Sequence, residues 1–412
     1  MTAVWLYETR LGELSRPRPG KLRFDFSSDA ISRWGTGSTI LSTSMPANIA
    51  VRPPGDVVSA FFQNLLPEGD GLTAMRTLYQ AFDDFSLLEA IGRDTAGALI
   101  IADEPFVDSD FAAGQSEPRY LSLDDIGQMI AGLPERPLGA SLTVRHSLAG
   151  AQRKLLLGRS LDGRWYEPSA QNSSTHLLKP APLDHPEVAT NEAFCMQVAR
   201  TSGLEACVTE VMEIGSMRVL VAQRYDRIGS MGAVDRVHQE DGCQMLGIPP
   251  SKKYQERKSG SKTVGPSLAG IAQLLSDGDK VRLLQSQVLN VLVGNADGHG
   301  KNVSTLHLPD GSTRLAPLYD VMSTVVHHPI LTIEGPKPLT QDLGMLIGSA
   351  RRLNEVTMAE LVNEAVRWPM AKDQATSVVG ACLESVLEAV SVCETMYPEI
   401  AKHAYEAAKQ IG

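Results

Sequence analysis

A helix, a polar loop and a hairpin follow one another between residues 281 and 320, and this order constrains the fold more than any other feature of the sequence. Valine and leucine recur at helical spacing over residues 281–292, which predicts a helix that delivers the chain to Gly294. The segment 309–311, Pro-Asp-Gly, predicts a tight turn between two strands. Because a hairpin returns the end of its second strand to the start of its first, we expect Asp320 beside the polar loop.

The polar loop carries Asp297 and, five residues later, Asn302. Together with Asp320 they would supply a proton acceptor and two hard oxygen ligands, which is what a magnesium-dependent phosphoryl transfer needs. Protein kinases have this spacing, although here the later acid lies in Tyr-Asp-Val instead of Asp-Phe-Gly, and His299 follows the first Asp instead of preceding it. A polar turn that only joins a core helix to a hairpin is the alternative interpretation.

Composition indicates an ordinary globular protein of 412 residues, with 43% hydrophobic and 21% charged residues. We find no apolar run that approaches the length of a bilayer span, and the N-terminus does not resemble a secretion signal, so we expect a cytoplasmic protein without membrane contact. The net charge of −10 argues against a broad DNA-binding face. The cysteines are odd in number and widely spaced, which predicts reduced core thiols: Cys195, Cys207, Cys243, Cys382 and Cys393.

Changes in pattern along the chain predict three segments. Short apolar runs broken by Gly and Pro over residues 1–55 are typical of a small antiparallel sheet, and a linker-like stretch follows at 103–118. We therefore place boundaries at 1–105, 106–230 and 231–412, with the last segment mostly helical.

Further candidates for nucleotide binding lie in the middle segment. The stretch 144–154 contains small residues, leads into a strand and could place N–H groups against phosphates, although an ordinary surface turn is the more common interpretation of such a stretch. Lys179 ends a strand and Glu192 lies on the next helix, as in the ion pair by which kinases hold phosphates, whereas a surface lysine is the alternative. The strand before residues 223–225 leads from the sheet-rich half into the helical half, where a kinase hinge offers backbone groups to adenine.

The sequence resembles the HipA-type serine/threonine kinases, the toxins of bacterial type II toxin–antitoxin pairs. The matching motifs occur in the family's order and span essentially the whole chain, including the N-terminal unit of the long form of the family. They are Phe61–Gly69, Ile91–Asp94, Ser147–Lys154, His176–Lys179, Gln239–Asp241, Gly294–Asn302 and Tyr319–Val321.

The resemblance implies an α+β, protein-kinase-like fold of two lobes, with a β-rich N-terminal subdomain, a kinase N-lobe and an all-α C-terminal lobe. It implies that Asp297 is the catalytic base, that Asn302 and Asp320 bind Mg²⁺, and that Glu192 pairs with Lys179. It also implies autophosphorylation of Ser147, which ejects the phosphate loop and switches the kinase off. The implied ATP-binding residues are Ala149, Gly150, Ala151, Gln152, Arg153, Lys154, Lys179, Gln223, Arg224, Tyr225, His299, Gly300, Lys301, Asn302 and Asp320.

The resemblance further implies a protein substrate and a protein partner. The substrate would be an aminoacyl-tRNA synthetase, with glutamyl-tRNA synthetase first, whose phosphorylation stops translation and causes growth arrest and persistence. The partner would be a HipB-like helix-turn-helix antitoxin, through which the pair contacts operator DNA. Two residues depart from the family pattern: Gln223 replaces a frequent Glu at the hinge, and Arg153 is basic where an acidic residue is expected.

Two other functions compete with the synthetase kinase. A small-molecule phosphotransferase could use the same lobes, but its site is usually acidic, and the loop over 251–266 is basic. A nucleotide-binding scaffold could act as a co-repressor beside a DNA-binding partner without any transfer of phosphate. Growth arrest on expression and ATP binding without transfer would separate these alternatives.

Overall fold

The computed structural model describes residues 1–103, 118–133, 137–138, 152–169, 172–230, 233–257, 263–326, 330–332, 335–337 and 341–412. The strands are β1 Thr2–Leu6, β2 Thr9–Arg18, β3 Lys21–Phe26, β4 Ile100–Ile101, β5 Tyr120–Leu121, β6 Leu155–Arg159, β7 Trp165–Tyr166, β8 His176–Pro180, β9 Thr209–Ile214, β10 Met217–Gln223, β11 Arg227–Ser230, β12 Ala233–Arg236, β13 His238–Asp241, β14 Glu256–Arg257, β15 Thr263–Val264, β16 Ser304–His307, β17 Thr313–Leu315, β18 Ile330–Thr332, β19 Gly335–Lys337, β20 Asp342–Ile347 and β21 Ala350–Arg352. The helices are α1 Ser28–Trp34, α2 Gly55–Gln63, α3 Gly69–Leu78, α4 Asp84–Ile91, α5 Leu123–Ala131, α6 Glu187–Thr201, α7 Gly242–Met245, α8 Leu268–Ala272, α9 Asp277–Val293, α10 Met358–Val366, α11 Lys372–Cys393 and α12 Pro398–Ile411.

The chain divides into two compact units that cut across the three segments predicted from the sequence. We call them the sheet-rich unit and the helical unit. The sheet-rich unit comprises Met1–Pro180, Met212–Pro250 and Thr305–Thr313, and the helical unit comprises Ala181–Val211, Ser251–Ser304 and Arg314–Gly412.

The N-terminal part of the sheet-rich unit is an antiparallel sheet in the order β3-β2-β1-β4, covered by helices. Alternating residues of these strands point inward, so that Leu22, Phe24 and Phe26 are buried while the residues between them are only partly covered. Phe24 and the adjacent α2 residues Phe61 and Phe62 stack as an aromatic cluster in this core. The small antiparallel sheet predicted for the N-terminus is therefore confirmed.

A second sheet has the order β5-β7-β6-β8-β10-β9 and contains the strands predicted around residues 155, 165 and 177. In the sheet-rich unit, β8 pairs with β6 on one side and with β10 on the other, and Lys179 lies opposite Leu220. The inward side chains form their own core, because Leu155, Leu157 and Leu178 pack together with the apolar face of α5.

In the helical unit, α9 is the central helix, since α8, α10, α11 and α12 all pack against it. Leu284, Val288 and Leu292 of α9 are almost completely buried, as the spacing predicted. The helix ends at Gly294, whose φ of 74° is the left-handed C-cap conformation. A Cβ at this position would lie 2.5 Å from a methyl carbon of Val325, so only glycine lets the chain turn into the polar loop here.

The part of the chain predicted to be helical also contains short strands. Hairpins β14–β15, β18–β19 and β20–β21 each pair two strands locally, and β13, β16 and β17 form a three-stranded sheet. Most of these strands are two to four residues long. β16 and β17 are the hairpin predicted around residues 309–311, whereas most of the other strands are too short to show the alternation of apolar and polar residues by which sequence reasoning finds strands.

The length and apolar character of helix α11 were not expected from the sequence, in which no apolar run approaches the length of a bilayer span. Among the described residues, Lys372–Met396 is long and apolar enough to cross a membrane by length and composition, with a mean hydropathy of 1.5 over its best window. Core helices of globular proteins meet the same criterion, and Ala375, Val379 and Val386 are buried at helical spacing where α11 packs on α9 and α6. Small and polar residues interrupt the apolar residues of this helix, so the sequence shows no continuous apolar run there.

All five cysteines are free and buried, as predicted. Burial raises the pKa of the Cys382 thiol to about 12, which keeps it protonated and unreactive at neutral pH.

A buried polar cluster occupies the sheet-rich unit around Glu240. Its carboxylate accepts hydrogen bonds from the hydroxyls of Ser42 (2.6 Å) and Thr43, and from Nε2 of His307 (2.9 Å). Burial alone would raise the pKa of Glu240, but the charge and hydrogen bond of His307 and the hydroxyl donors hold it below its usual value. His238 lies beside this cluster and donates from Nε2 to the carbonyl of Leu41 (2.8 Å).

We predict that His238 makes the protein less stable as the pH falls below 6.5. Burial, together with the neighbouring charge of His307, lowers its pKa to about 3, and its Nδ1 has no hydrogen-bond acceptor among the described residues. Below a pH of about 6.5, His238 therefore binds a proton in the unfolded chain but not in the folded chain. This single group should cost about 1.5 kcal/mol of unfolding free energy between pH 6.5 and pH 5.

Chemical denaturation of the wild type and of His238→Gln across that pH range measures the effect. The glutamine amide can still donate to Leu41, and the range lies above the pKa of about 4.3 at which carboxylates titrate in an unfolded chain. The wild type should lose stability more steeply than the variant. Equal slopes would contradict the prediction.

Candidate active site

The loop after α9 is built to expose one carboxylate. Asp297 is exposed, while Asn295 and Ala296 before it are buried. The N–H of Asp297 donates to the side-chain oxygen of Asn295 (3.1 Å), and its carbonyl accepts from the N–H of His299 (2.7 Å). These bonds fix the backbone at Asp297 and leave its side chain facing solvent.

The strand β20 supports this loop from below. The N–H of Gly344 donates to the carbonyl of Ala296 (2.8 Å). A Cβ on Gly344 would lie 2.8 Å from backbone atoms of Gly298 and from the N atom of His299. Any side chain at position 344 would thus displace the loop that carries Asp297.

Asn302 and Asp320 lie side by side. The amide nitrogen of Asn302 donates to a carboxylate oxygen of Asp320 (3.1 Å), and the amide oxygen of Asn302 accepts from the N–H of His299 (3.2 Å). The expectation that Asp320 returns to the polar loop is confirmed. Asp320 also has a φ of 58°, a left-handed conformation that costs a non-glycine residue free energy and that is concentrated at functional sites.

The pair suits a magnesium ion. Asp320 carries carboxylate oxygens and Asn302 an amide oxygen, the hard ligands that Mg²⁺ prefers, so these two side chains could hold the ion. To present its oxygen, the amide of Asn302 must flip so that its oxygen and nitrogen exchange places, which gives up the hydrogen bond from the N–H of His299. Among the described residues there is no cluster of three or more His, Cys, Asp or Glu side chains suited to a metal. Mg²⁺ does not require one, because it completes its shell with water and phosphate oxygens.

His299 forms the inner wall of this loop. It is only 7% exposed, and its ring lies edge-on to that of Tyr254 with centroids 5.1 Å apart. Burial lowers the pKa of His299, while the nearby carboxylates of Asp297 and Asp320 oppose this and Lys253 reinforces it. Its Nδ1 is buried and has no hydrogen-bond partner within the described part of the chain.

Tyr319 holds the backbone of Lys301, the residue before Asn302. The Tyr319 hydroxyl donates to the carbonyl of Lys301 and lies within hydrogen-bonding distance of the Ser304 hydroxyl, each at 2.6 Å. Tyr319 directly precedes Asp320 in the chain, so this contact also fixes the position of the Asp320 backbone.

Lys179 is 6% exposed in its strand, so the reading of this residue as an ordinary surface lysine is wrong. Glu192 is buried on α6, with 3% of its surface exposed. The ion pair between these two residues stays a prediction.

The predicted phosphate loop lies mostly outside the described residues. Ser147 and residues 149–151 belong to that part of the chain, whereas Gln152 and Arg153 are exposed and Lys154 is buried just before β6. The role of the loop therefore remains a prediction.

The predicted hinge follows β10. Gln223 is exposed, and the Tyr225 hydroxyl donates to the side chain of Gln239. The guanidinium of Arg224 is buried and donates to both carboxylate oxygens of Asp226 (3.0 and 2.8 Å), so that its side chain is committed within the protein. Any contact of Arg224 with adenine is thus left to its backbone.

Sequence reasoning missed Tyr254. Its hydroxyl donates to the carboxylate of Asp297 at 2.7 Å, although 43 residues separate the two in the chain. Its only signal in the sequence was an aromatic residue beside a basic stretch, which is common on protein surfaces.

Comparisons with known proteins identify the fold and the family of this chain. A solved structure of the Shewanella oneidensis MR-1 complex of HipA, HipB and operator DNA matches with a TM-score of 0.78 and 24% identity, over 100% of this chain and 95% of that chain. The fold is therefore that of HipA, with mixed helix and sheet content, as predicted.

The family follows from sequence matches. The HipA-like C-terminal domain model matches residues 146–390, and the HipA N-terminal domain model matches residues 2–102. "Putative kinase Y4mE" of Sinorhizobium fredii is 32% identical, over 97% of this chain and 94% of the relative. "Serine/threonine-protein kinase toxin HipA" of Shewanella oneidensis is 30% identical, over 77% of this chain and 74% of the relative. The chain belongs to the HipA family of kinases, in the form with the N-terminal domain, which confirms the resemblance.

Proposed function

We propose that this chain is a Mg-ATP-dependent serine/threonine kinase and the toxin of a toxin–antitoxin pair. The observation that carries the proposal is the hydrogen bond between Asn302, on the loop that exposes Asp297, and Asp320, which returns to that loop after the hairpin. Such a set of one exposed acid beside an amide–carboxylate pair is what phosphoryl transfer requires. Membership of the HipA family supports the same conclusion.

In this proposal Asp297 is the proton acceptor. It takes the proton of a serine or threonine hydroxyl, whose oxygen then attacks the terminal phosphorus of ATP as the bond to ADP breaks. The role suits Asp297 because its carboxylate is exposed while its backbone is fixed.

Asn302 and Asp320 would hold Mg²⁺, which neutralises negative charge on the phosphates when bound. His299, Gly300 and Lys301 would border the nucleotide, as the family resemblance implies.

The remaining ATP contacts rest on the family. Lys179, paired with Glu192, would contact phosphates, and the burial of both residues favours a role other than surface solubility. Residues 149–154 would form the phosphate loop with Ser147 as the autophosphorylated residue. The backbone of residues 223–225 would contact adenine.

The substrate and partner rest on the family as well. We propose an aminoacyl-tRNA synthetase, first glutamyl-tRNA synthetase, as the substrate in the cytoplasm, with arrest of translation and growth as the result. We propose a HipB-like antitoxin as the partner, and contact with operator DNA through it. The complex of HipA with HipB and operator DNA supports the assignment of the partner, whereas the substrate rests on the family resemblance alone.

Phosphatase-treated protein, incubated with Mg²⁺ and ATP labelled on the terminal phosphate, should transfer label to Ser147 and to glutamyl-tRNA synthetase. Chelation of Mg²⁺ and Asp320→Ala should each reduce transfer by at least about 100-fold, because the phosphate charge is then uncompensated. Asp310→Ala, which removes an exposed carboxylate from the turn after β16, is the matched control and should transfer normally. ATP binding without any transfer would overturn the proposal in favour of a co-repressor scaffold.

A further inference from the structure

Tyr254 contacts the proposed proton acceptor directly. Its hydroxyl donates to Oδ1 of Asp297 at 2.7 Å, which is a charge-assisted hydrogen bond of ordinary length. The ring of Tyr254 lies edge-on to the ring of His299, and the ammonium of Lys253 is 5.8 Å from the centroid of the Tyr254 ring. Nothing in the proposed chemistry so far uses this tyrosine.

The backbone on both sides of Tyr254 is fastened to the active-site framework. The carbonyl of Lys253 accepts from the N–H of Gly300 (3.0 Å), and the N–H of Gln255 donates to the carbonyl of Gly344 (2.8 Å). The side chain of Gln255 also accepts from the N–H of Leu346 (2.9 Å). Tyr254 is 42% exposed, so these bonds rather than burial hold it in place.

We propose that Tyr254 is a positioning residue for the phosphoryl transfer proposed above. By donating to Oδ1 it holds the exposed carboxylate of Asp297 in one orientation and leaves Oδ2 to accept the proton of the substrate hydroxyl. An exposed aspartate on a loop otherwise samples several rotamers, and each wrong orientation removes the acceptor from the reacting hydroxyl.

A gate is the competing role for the same contact. The hydroxyl of Tyr254 makes the hydrogen bond that a substrate hydroxyl would make, so it could instead block Asp297 until it swings away. The anchored backbone at Lys253 and Gln255 favours positioning, because it ties the tyrosine to the loop that it contacts. The two roles predict opposite changes in kinetics.

Tyr254→Phe separates them, since it removes only the hydroxyl and keeps the ring against His299. Positioning predicts that kcat for phosphorylation of the protein substrate falls between about 10- and 100-fold, while KM for ATP and for the protein substrate stays unchanged. Tyr405→Phe is the matched control, because it removes an exposed hydroxyl that also donates to a carboxylate, that of Glu394 (3.3 Å). Its kinetics should equal those of the wild type.

An increase in kcat, or a lower KM for the protein substrate, in Tyr254→Phe would identify a gate and overturn the proposal. Unchanged kinetics in Tyr254→Phe beside an active wild type would overturn the role of Tyr254 alone. A wild type that transfers no phosphate would overturn the proposed function, and this role with it, so the two failures are distinguishable.

Discussion

Asp297→Asn should remove phosphoryl transfer while leaving the fold and the nucleotide affinity intact. The substitution keeps the shape of the side chain, and the asparagine oxygen can still accept from Tyr254, but it cannot take up the proton of the attacking hydroxyl. Loss of a general base costs about 10²- to 10⁴-fold in rate. Single-turnover transfer to glutamyl-tRNA synthetase at saturating ATP measures this step directly.

Two further measurements make the result for Asp297 specific. The midpoint of thermal unfolding should not change, because Asp297 is exposed and carries no packing. Asp310→Asn, the same change at an exposed turn residue, should retain full activity. A rate for Asp297→Asn within threefold of the wild type would exclude Asp297 as the proton acceptor.

The contact between the polar loop and Asp320 could be predicted from the sequence because its geometry is local. A helix that ends at Gly294, a loop and a hairpin determine that Asp320 returns to the loop, and all three signals lie within one short stretch. The reduced state of the buried cysteines could also be predicted, because an odd number of widely spaced thiols predicts free side chains.

Contacts between distant parts of the chain could not be predicted in this way. Tyr254 meets Asp297 across 43 residues, and no spacing rule connects them. Asp94 pairs with Arg227 across 133 residues, and a lone Asp or Arg in a sequence usually predicts a solvated surface charge. Only the folded arrangement shows that these charges are buried.

Those buried charges form a cluster directly after the predicted hinge. The carboxylate of Asp226 accepts hydrogen bonds from Arg224 (2.8 Å) and from the N–H of Gly97 (2.7 Å), and it forms an ion pair with Arg227 (3.0 Å). Asp94 pairs with the other side of Arg227 at 2.7 Å. Burial lowers the pKa of the nearby Arg236 to about 9, with the charge of Arg227 adding to the effect. The cluster thus joins the chain after β10 to the loop before β4.

Asp226→Asn should be the most destabilising single substitution among those considered for this protein. Asp226 is 3% exposed, and burial alone would raise its pKa, but Arg224 and Arg227 lower it, so the carboxylate is charged. An amide in its place leaves two buried guanidinium groups with too little negative charge. Removal of one partner from a buried ion pair costs about 3–5 kcal/mol of unfolding free energy, which denaturant titration at pH 7 can measure.

Asp162→Asn is the control that isolates burial as the cause. Asp162 also pairs with an arginine two residues away, Arg164 (2.6 Å), but both side chains are more than half exposed. Water replaces the lost partner there, so the variant should have the same free energy of unfolding as the wild type. Adding Arg227→Met to Asp226→Asn removes one of the two uncompensated charges and should recover part of the lost stability. Equal effects of Asp226→Asn and Asp162→Asn, or no recovery in the double variant, would show that the buried charges are balanced by other groups.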